Sequence, residues 1–185
     1  IEAGQSVSGI HSVASFFVSR VDTAVDVLLD AEGSDAAGDL RGKAGIANAR
    51  LAWQAYREFL ATDRWRALQD AGAHPQRPLW ASTSVKDPGL PDDMYVVQLA
   101  GPGCVNTMPE PTLRAVAEHA ELRGNALDGS APASQAIFDG LGALGIDMGE
   151  VCQRLEDEGV QKFADAWTGL LDTVAQALAT RRDNG

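Results

Sequence analysis

The chain has 185 residues, of which 45% are hydrophobic and 22% charged, and a formal net charge of −11 at pH 7. That length supports one domain with a substantial core, while the acidity argues against nucleic-acid binding, which needs clustered Lys and Arg. The run of about 18 apolar residues that a membrane span needs is absent from the sequence.

The opening Ile1-Glu2-Ala3-Gly4 reads as the last turn of a helix with a glycine stop, so further elements are expected ahead of it. Ile10 to Val18 is an apolar run of strand length, continuous rather than alternating, which suits a strand covered on both faces. Asp22 or Thr23 is placed to cap a helix over Ala24 to Asp30. Gly33 to Gly38 reads as a flexible loop, and Asp39 to Leu60 as a long helix with Leu40, Ile46, Ala49, Trp53, Tyr56 and Leu60 in its apolar stripe. Arg64 to Asp70 continues as a short helix that Gly72 ends.

Leu79 to Val85 is a second buried strand between Pro78 and Pro88, with Lys86 just past it. Tyr95 to Ala100 fits either a helical turn or an extended piece. Val105 to Met108 is a third short strand, stopped by Pro109. Helices then follow over Thr112 to Ala120, Ser134 to Leu144, Met148 to Asp157 and Val160 to Arg182, with Glu156-Asp157-Glu158 as a solvated acidic turn between the last two. Arg181 and Arg182 suit the negative end of the final helix dipole, and Asp183-Asn184-Gly185 is expected to fray.

Strands alternating with helices predict an α/β fold with a parallel sheet. Three strands followed by mostly helices cannot close a doubly covered sheet. The expected architecture is therefore the C-terminal part, about three βα units plus closing helices, of a (β/α)8 barrel. It is read as one domain, with the last strands and helices of the barrel over residues 1–120 and a helical segment over 121–185.

Ligands in such folds bind at the carboxyl ends of the strands. The first strand leads into Ser15 and Arg20, the second into Ser84 and Lys86, and the third into Asn106. Lys86 has three readings there: a nucleophilic amine, a cation for a phosphate, or a solvated loop lysine. Adjacent parallel strands lie about 4.8 Å apart, which lets Arg20 and Lys86 converge on one anion with the Ser15 and Ser84 hydroxyls beside it. The competing arrangement pairs Arg20 with Asp22 and Lys86 with Asp87 as surface ion pairs of little worth.

Other chemistries fit less well. The glycine-rich pieces lack a dinucleotide or Walker pattern, and neither serine sits in a Gly-x-Ser-x-Gly elbow. Cys104 and Cys152 have no CxxC spacing, which predicts free thiols in a reducing, cytoplasmic compartment. His11, His74 and His119 are scattered without metal-ligand spacing. The four tryptophans read as packing, with Trp80 on the central strand the one to watch.

Four blocks taken in order resemble bacterial transaldolase: Ser12 to Thr23, Arg41 to Arg50, Arg77 to Pro88 and Val105 to Glu110. The resemblance runs from about Ser8 into the last helix. It implies a (β/α)8 barrel of the class I aldolase superfamily, acting in the pentose phosphate pathway. Such an enzyme moves a dihydroxyacetone unit between sugar phosphates (sedoheptulose 7-phosphate and glyceraldehyde 3-phosphate giving erythrose 4-phosphate and fructose 6-phosphate). The chemistry runs through a lysine Schiff base, with no metal or cofactor.

The family's Ser-x-Phe-Val-x-Arg element falls on Ser15 to Arg20, which implies Arg20 as a phosphate ligand and Ser15 as a substrate hydrogen-bond donor. Lys86 aligns with a basic residue that faces the same phosphate. The Schiff-base lysine and the acid/base carboxylates belong to earlier strands and match nothing here, so the implied partner is an N-terminal part of the barrel. Two alternatives stay open: a minimal aldolase with Lys86 as the nucleophile, and a non-catalytic half-barrel that binds a partner through its sheet edges.

Overall fold

The structure is a computed structural model that describes residues 1–183, with side chains through Arg181. The expectations for Arg182 and for the frayed tail lie outside the described residues and side chains. Contacts divide the chain into a first unit, Ile1–Asp147, and a second that begins at Met148.

In the first unit, β1 (Val13–Phe17), β2 (Arg77–Ala81) and β3 (Val105–Asn106) form a parallel sheet in the order β1-β2-β3. The α/β class and the parallel sheet therefore stand. The strands are shorter than expected because Ser12 precedes the first ladder position and the second strand stops at Ala81. Register sets Phe16 beside Trp80, and Trp80 beside Asn106. Trp80 is fully buried, and its indole N–H donates to the Leu99 carbonyl at 3.1 Å. The alternate face of β1 behaves differently: Val13 is 40% exposed, Phe17 39% exposed, and Ser15 between them is exposed too. The expected burial on both faces is thus seen on one face only among the described residues.

Helix α1 (Val18–Glu32) starts directly after β1 with no loop, so Asp22 and Thr23 lie inside it rather than capping it. Thr23 instead donates its hydroxyl to the Ser19 carbonyl at 2.9 Å, one turn back. Apolar residues at helical spacing, Val18, Val21, Val25 and Leu29, bury one face of α1. The segment expected as a loop holds a single turn, α2 (Asp35–Gly38), whose first turn is capped by Ser34. Helix α3 (Ala44–Leu60) begins five residues later than expected, after a turn at Gly42 with φ 66°. Its Ile46, Ala49 and Trp53 join Val18, Trp80, Met94, Tyr95, Leu99 and Leu127 in the core.

Helix α4 (Asp63–Asp70) starts at Thr62, whose hydroxyl accepts the Trp65 N–H at 3.2 Å. Residues 94–97 settle the ambiguous piece as a short helix, α5 (Met94–Val97). Helix α6 (Glu110–His119) carries Pro111 in its first turn. Helix α7 (Ala131–Ala143) packs against α3, so residues 121–147 belong with the sheet in the first unit.

The second unit is one helix, α8 (Met148–Asp183). The acidic turn expected at Glu156-Asp157-Glu158 is helical instead, held by pairs such as Gln153 to Asp157 at 3.1 Å and Lys162 to Glu158 at 3.2 Å. Phe163, Trp167, Leu170, Val174 and Leu178 form an exposed apolar stripe along it. No helix among the described residues is long and apolar enough to cross a membrane.

Candidate functional site

The carboxyl ends of β1 and β2 are tied together by backbone. The Ser19 N–H donates to the Ser82 carbonyl at 3.0 Å, which joins the first turn of α1 to the residue just past β2. Ser82 has φ 52°, the one left-handed non-glycine among the described residues. Such a conformation costs a serine about 1 kcal/mol or more and is found where surrounding structure imposes it. It ends the ladder at Ala81 and turns Thr83 inward, where only 1% of its surface is exposed. The Thr83 hydroxyl lies 2.8 Å from the Thr107 carbonyl and 3.1 Å from Asn106 Oδ1, which locks the ends of β2 and β3.

The predicted site residues distribute around this seam. Lys86 is exposed, and its ammonium donates to the Ser84 hydroxyl at 2.7 Å, so these two are brought together. Arg20 is exposed in the first turn of α1, with its guanidinium 4.5 Å from the Phe17 ring centroid. Ser15 is exposed on the open face of β1. Asn106 stands in register with Trp80 rather than with Ser15's neighbour Leu79, so Ser15 and Asn106 lie on opposite faces of the sheet. Asn106 is also occupied by Thr83. The structure therefore groups Ser84 with Lys86, sets Ser15 on the adjacent strand and Arg20 in the first turn of the helix that follows it, and keeps Asn106 behind the seam.

The competing ion pairs do not form. Asp22 is 3% exposed and accepts the Gly45 N–H at 2.7 Å and the Tyr95 hydroxyl at 2.6 Å. Asp87 takes the Gly89 N–H at 2.8 Å and an Arg41 guanidinium N–H at 3.4 Å. Among the described residues, neither Arg20 nor Lys86 has a carboxylate within ion-pair distance. Lys86 lines an open groove of about 410 Å³ beside Asp22, Asp26, Asp30 and Asp87; Arg20 does not line it. The four carboxylates are already engaged, since Asp26 accepts the Gly42 N–H at 3.0 Å and Arg41 bonds both Asp30 and Asp87.

Asp22 anchors the turn beside the candidate site, which the sequence did not reveal. Burial pushes its carboxyl above the ordinary value of 3.8, against the opposing pull of the Tyr95 hydroxyl and the Gly45 N–H. Burial, and then the Asp22 charge, push the Tyr95 phenol upward as well. This network pins the turn that carries Arg20 to the start of α3 and to α5. Gly45 leaves no alternative: a Cβ there would lie 2.5 Å from the Val18 carbonyl oxygen and 2.8 Å from an Asp22 carboxylate oxygen. An aspartate two residues after an arginine gives no local sign that a tyrosine 73 residues away will reach it.

All three lysines of the chain, Lys43, Lys86 and Lys162, are exposed. A nucleophilic lysine is kept neutral by an apolar enclosure or a close second cation, and none of the three sits in such an enclosure. No cluster of three or more His, Cys, Asp or Glu suited to a metal ion occurs among the described residues. Cys104 and Cys152 are free, the first with its thiol 3.0 Å from the Gly101 carbonyl. What the arrangement offers chemically is two exposed cations, each past the carboxyl end of one of two neighbouring strands and without a carboxylate within ion-pair distance among the described residues, with only Lys86 in the aspartate-lined groove.

The family model described as Transaldolase/Fructose-6-phosphate aldolase matches residues 1–174. The chain is 58% identical over 177 residues to a transaldolase of Mycolicibacterium smegmatis, covering 96% of this chain and 48% of that protein. It is 55% identical over 178 residues to a transaldolase of Thermobifida fusca, with 96% and 48% coverage. It is 56% identical over 177 residues to a protein named transaldolase 2 of Streptomyces coelicolor, again with 96% and 48% coverage. The chain thus spans about half the length of the curated relatives it matches. With 174 of its residues inside the family pattern, the chain belongs to the transaldolase/fructose-6-phosphate aldolase family.

Proposed function

We propose that the chain supplies the phosphate-gripping side of a cytoplasmic transaldolase that moves a dihydroxyacetone unit between sugar phosphates. The observation that carries this reading is the pair Arg20 and Lys86. Both are exposed, both lack a carboxylate partner among the described residues, and they follow the carboxyl ends of paired parallel strands. In a chain of net charge −11, two such cations favour a specific anion. Ser84 steadies Lys86, and Ser15 offers a hydroxyl on the open face of β1.

In this reading the three strands are the C-terminal part of a (β/α)8 barrel. The outer edges of β1 and β3 are where the remaining strands pair, and closing the barrel covers the exposed face with Val13 and Phe17. The Schiff-base lysine and the acid/base carboxylates come from those strands, in keeping with the exposure of every lysine here.

The test is Arg20→Ala and Lys86→Ala in the transaldolase that carries this chain. Removing a charge-assisted hydrogen bond is worth about 1.5–3 kcal/mol, so each variant raises KM for fructose 6-phosphate about 10- to 100-fold. Unchanged KM in both variants contradicts the reading. Borohydride reduction with fructose 6-phosphate separates it from the minimal-aldolase alternative, because a stable adduct on Lys86 makes that lysine the nucleophile.

A further inference from the structure

A second concentration of positive charge lies beside the groove that Lys86 lines, sharing Arg41 and Leu90 with it. Arg41, Lys43 and Arg50 line a cavity of about 280 Å³ whose apolar wall includes Leu90, Met94 and Ile137. No carboxylate lines it. Its shape depends on Gly42, which has φ 66° and where a Cβ would meet a Leu90 methyl at 2.7 Å. Leu90 can therefore close against the backbone and wall the cavity.

The three cations are not equally committed. Arg41 is already bonded to Asp30 and Asp87. Lys43, at the residue before α3, takes part in no ion pair among the described residues. Arg50 is half-buried on α3 and has no carboxylate partner among the described residues. One of its terminal nitrogens donates to the Gln98 carbonyl at 3.1 Å, but its Nε is buried with no acceptor. Burial alone disfavours its charge, with no neighbouring anion to offset the cost. A half-buried guanidinium with no anion beside it gains from any anion that enters the cavity it lines.

We propose that this cavity is a binding site for a small amphiphilic anion, a phosphate monoester with a compact apolar body. Its phosphate is held by Arg50 and Lys43, and its body lies on Leu90, Met94 and Ile137. The volume admits a ligand of about ten non-hydrogen atoms, at the small end of ligand pockets. Both halves of the lining are used at once: the charged head offsets the Arg50 and Lys43 charges, and the body covers apolar wall that an inorganic ion would leave wet. The cavity includes neither Arg20 nor Lys86, although it shares Arg41 and Leu90 with the groove that Lys86 lines, and the proposal does not depend on the transaldolase reading.

The experiment uses methyl-labelled methionine, because Met94 lines the cavity and the chain has only three methionines. Phenyl phosphate is titrated into the protein while the Met94 methyl resonance is followed. The expected result is a saturable shift, with a Kd about tenfold below that for inorganic phosphate. The shift persists in the Arg20→Ala/Lys86→Ala double variant and weakens about tenfold in Arg50→Met, which keeps the apolar stem. Lys43→Ala, an exposed position, weakens it in the same direction. An unmoved Met94 resonance at millimolar phenyl phosphate overturns the proposal. So does a shift that vanishes in the double variant, or one that survives in both Arg50→Met and Lys43→Ala.

Discussion

Gly45→Ala carries the sharpest test of how the Arg20 turn is held. In an ordinary helix this change stabilises by up to about 1 kcal/mol, because alanine loses less backbone freedom on folding. Here the added methyl would stand 2.5 Å from the Val18 carbonyl oxygen, 2.8 Å from Asp22 Oδ2 and 3.0 Å from the Asp22 carboxyl carbon. The first obstacle is backbone and cannot rotate away. The others belong to a carboxylate that already accepts the Gly45 N–H. Overpacking of this kind costs about 1–3 kcal/mol, and forcing Asp22 off its donors adds about 1–3 kcal/mol. Set against the helix gain of about 1 kcal/mol, the net loss is about 1–5 kcal/mol.

The control is Gly142→Ala on α7, where a Cβ meets nothing within 4 Å. That variant gains up to about 1 kcal/mol. Urea unfolding of both variants beside the parent protein, with m-values compared, reads the two signs directly. Because α1 shifts with its Arg20 turn, the proposed phosphate role of Arg20 predicts that Gly45→Ala also raises KM for fructose 6-phosphate, while Gly142→Ala leaves it unchanged. A Gly45→Ala protein as stable as the parent would show that α1 and α3 do not approach as described.

The remaining predictions concern the same core. Tyr95→Phe removes a donor from a buried carboxylate and costs about 1–3 kcal/mol, measured by urea unfolding at pH 7. Asp22 has a native pKa raised above 3.8, so the native state binds its proton more readily than the unfolded state. The stability this proton contributes is present below 3.8 and lost as pH rises through the raised native value. The advantage of the parent over Asp22→Asn therefore grows as pH falls through that window, and a pH-independent difference contradicts the assignment. Trp80→Ala removes a fully buried indole and its bond to Leu99, and costs about 3–5 kcal/mol by the same assay.

The sequence was informative where local chemistry decides structure. Helical spacing of Ile46, Ala49 and Trp53 marked the buried face of α3, and the apolar runs around Phe16 and Trp80 marked adjacent parallel strands. It was less informative where distant contacts decide. Asp22 reads as a helix cap because aspartates near a helix start commonly are. In the fold it serves as a buried acceptor for Gly45 and Tyr95, which no short-range pattern encodes.

Ser82 to Val85 read as strand from composition. The carbonyl of Ser82 is taken instead by the start of α1, and Thr83 turns to bond the end of β3. Glu156 to Glu158 read as a turn from charge density, yet the side-chain pairs flanking them and the lack of a breaker other than Gly159 let α8 run through. For the site, strand ends picked out Arg20 and Lys86 as cations, and the structure shows both without carboxylate partners among the described residues. Which face each side chain takes depends on register, and that is why Asn106 falls beside Trp80 instead of beside Ser15.

The most direct measurement of the proposed function is a double-mutant cycle on Arg20 and Lys86, scored as kcat/KM for fructose 6-phosphate and for unphosphorylated fructose. Two cations on one phosphate predict losses confined to the phosphorylated substrate and a coupling of about 0.5 kcal/mol or more between the sites. Additive losses, or equal losses for both sugars, would mean that the two side chains do not share a phosphoryl group.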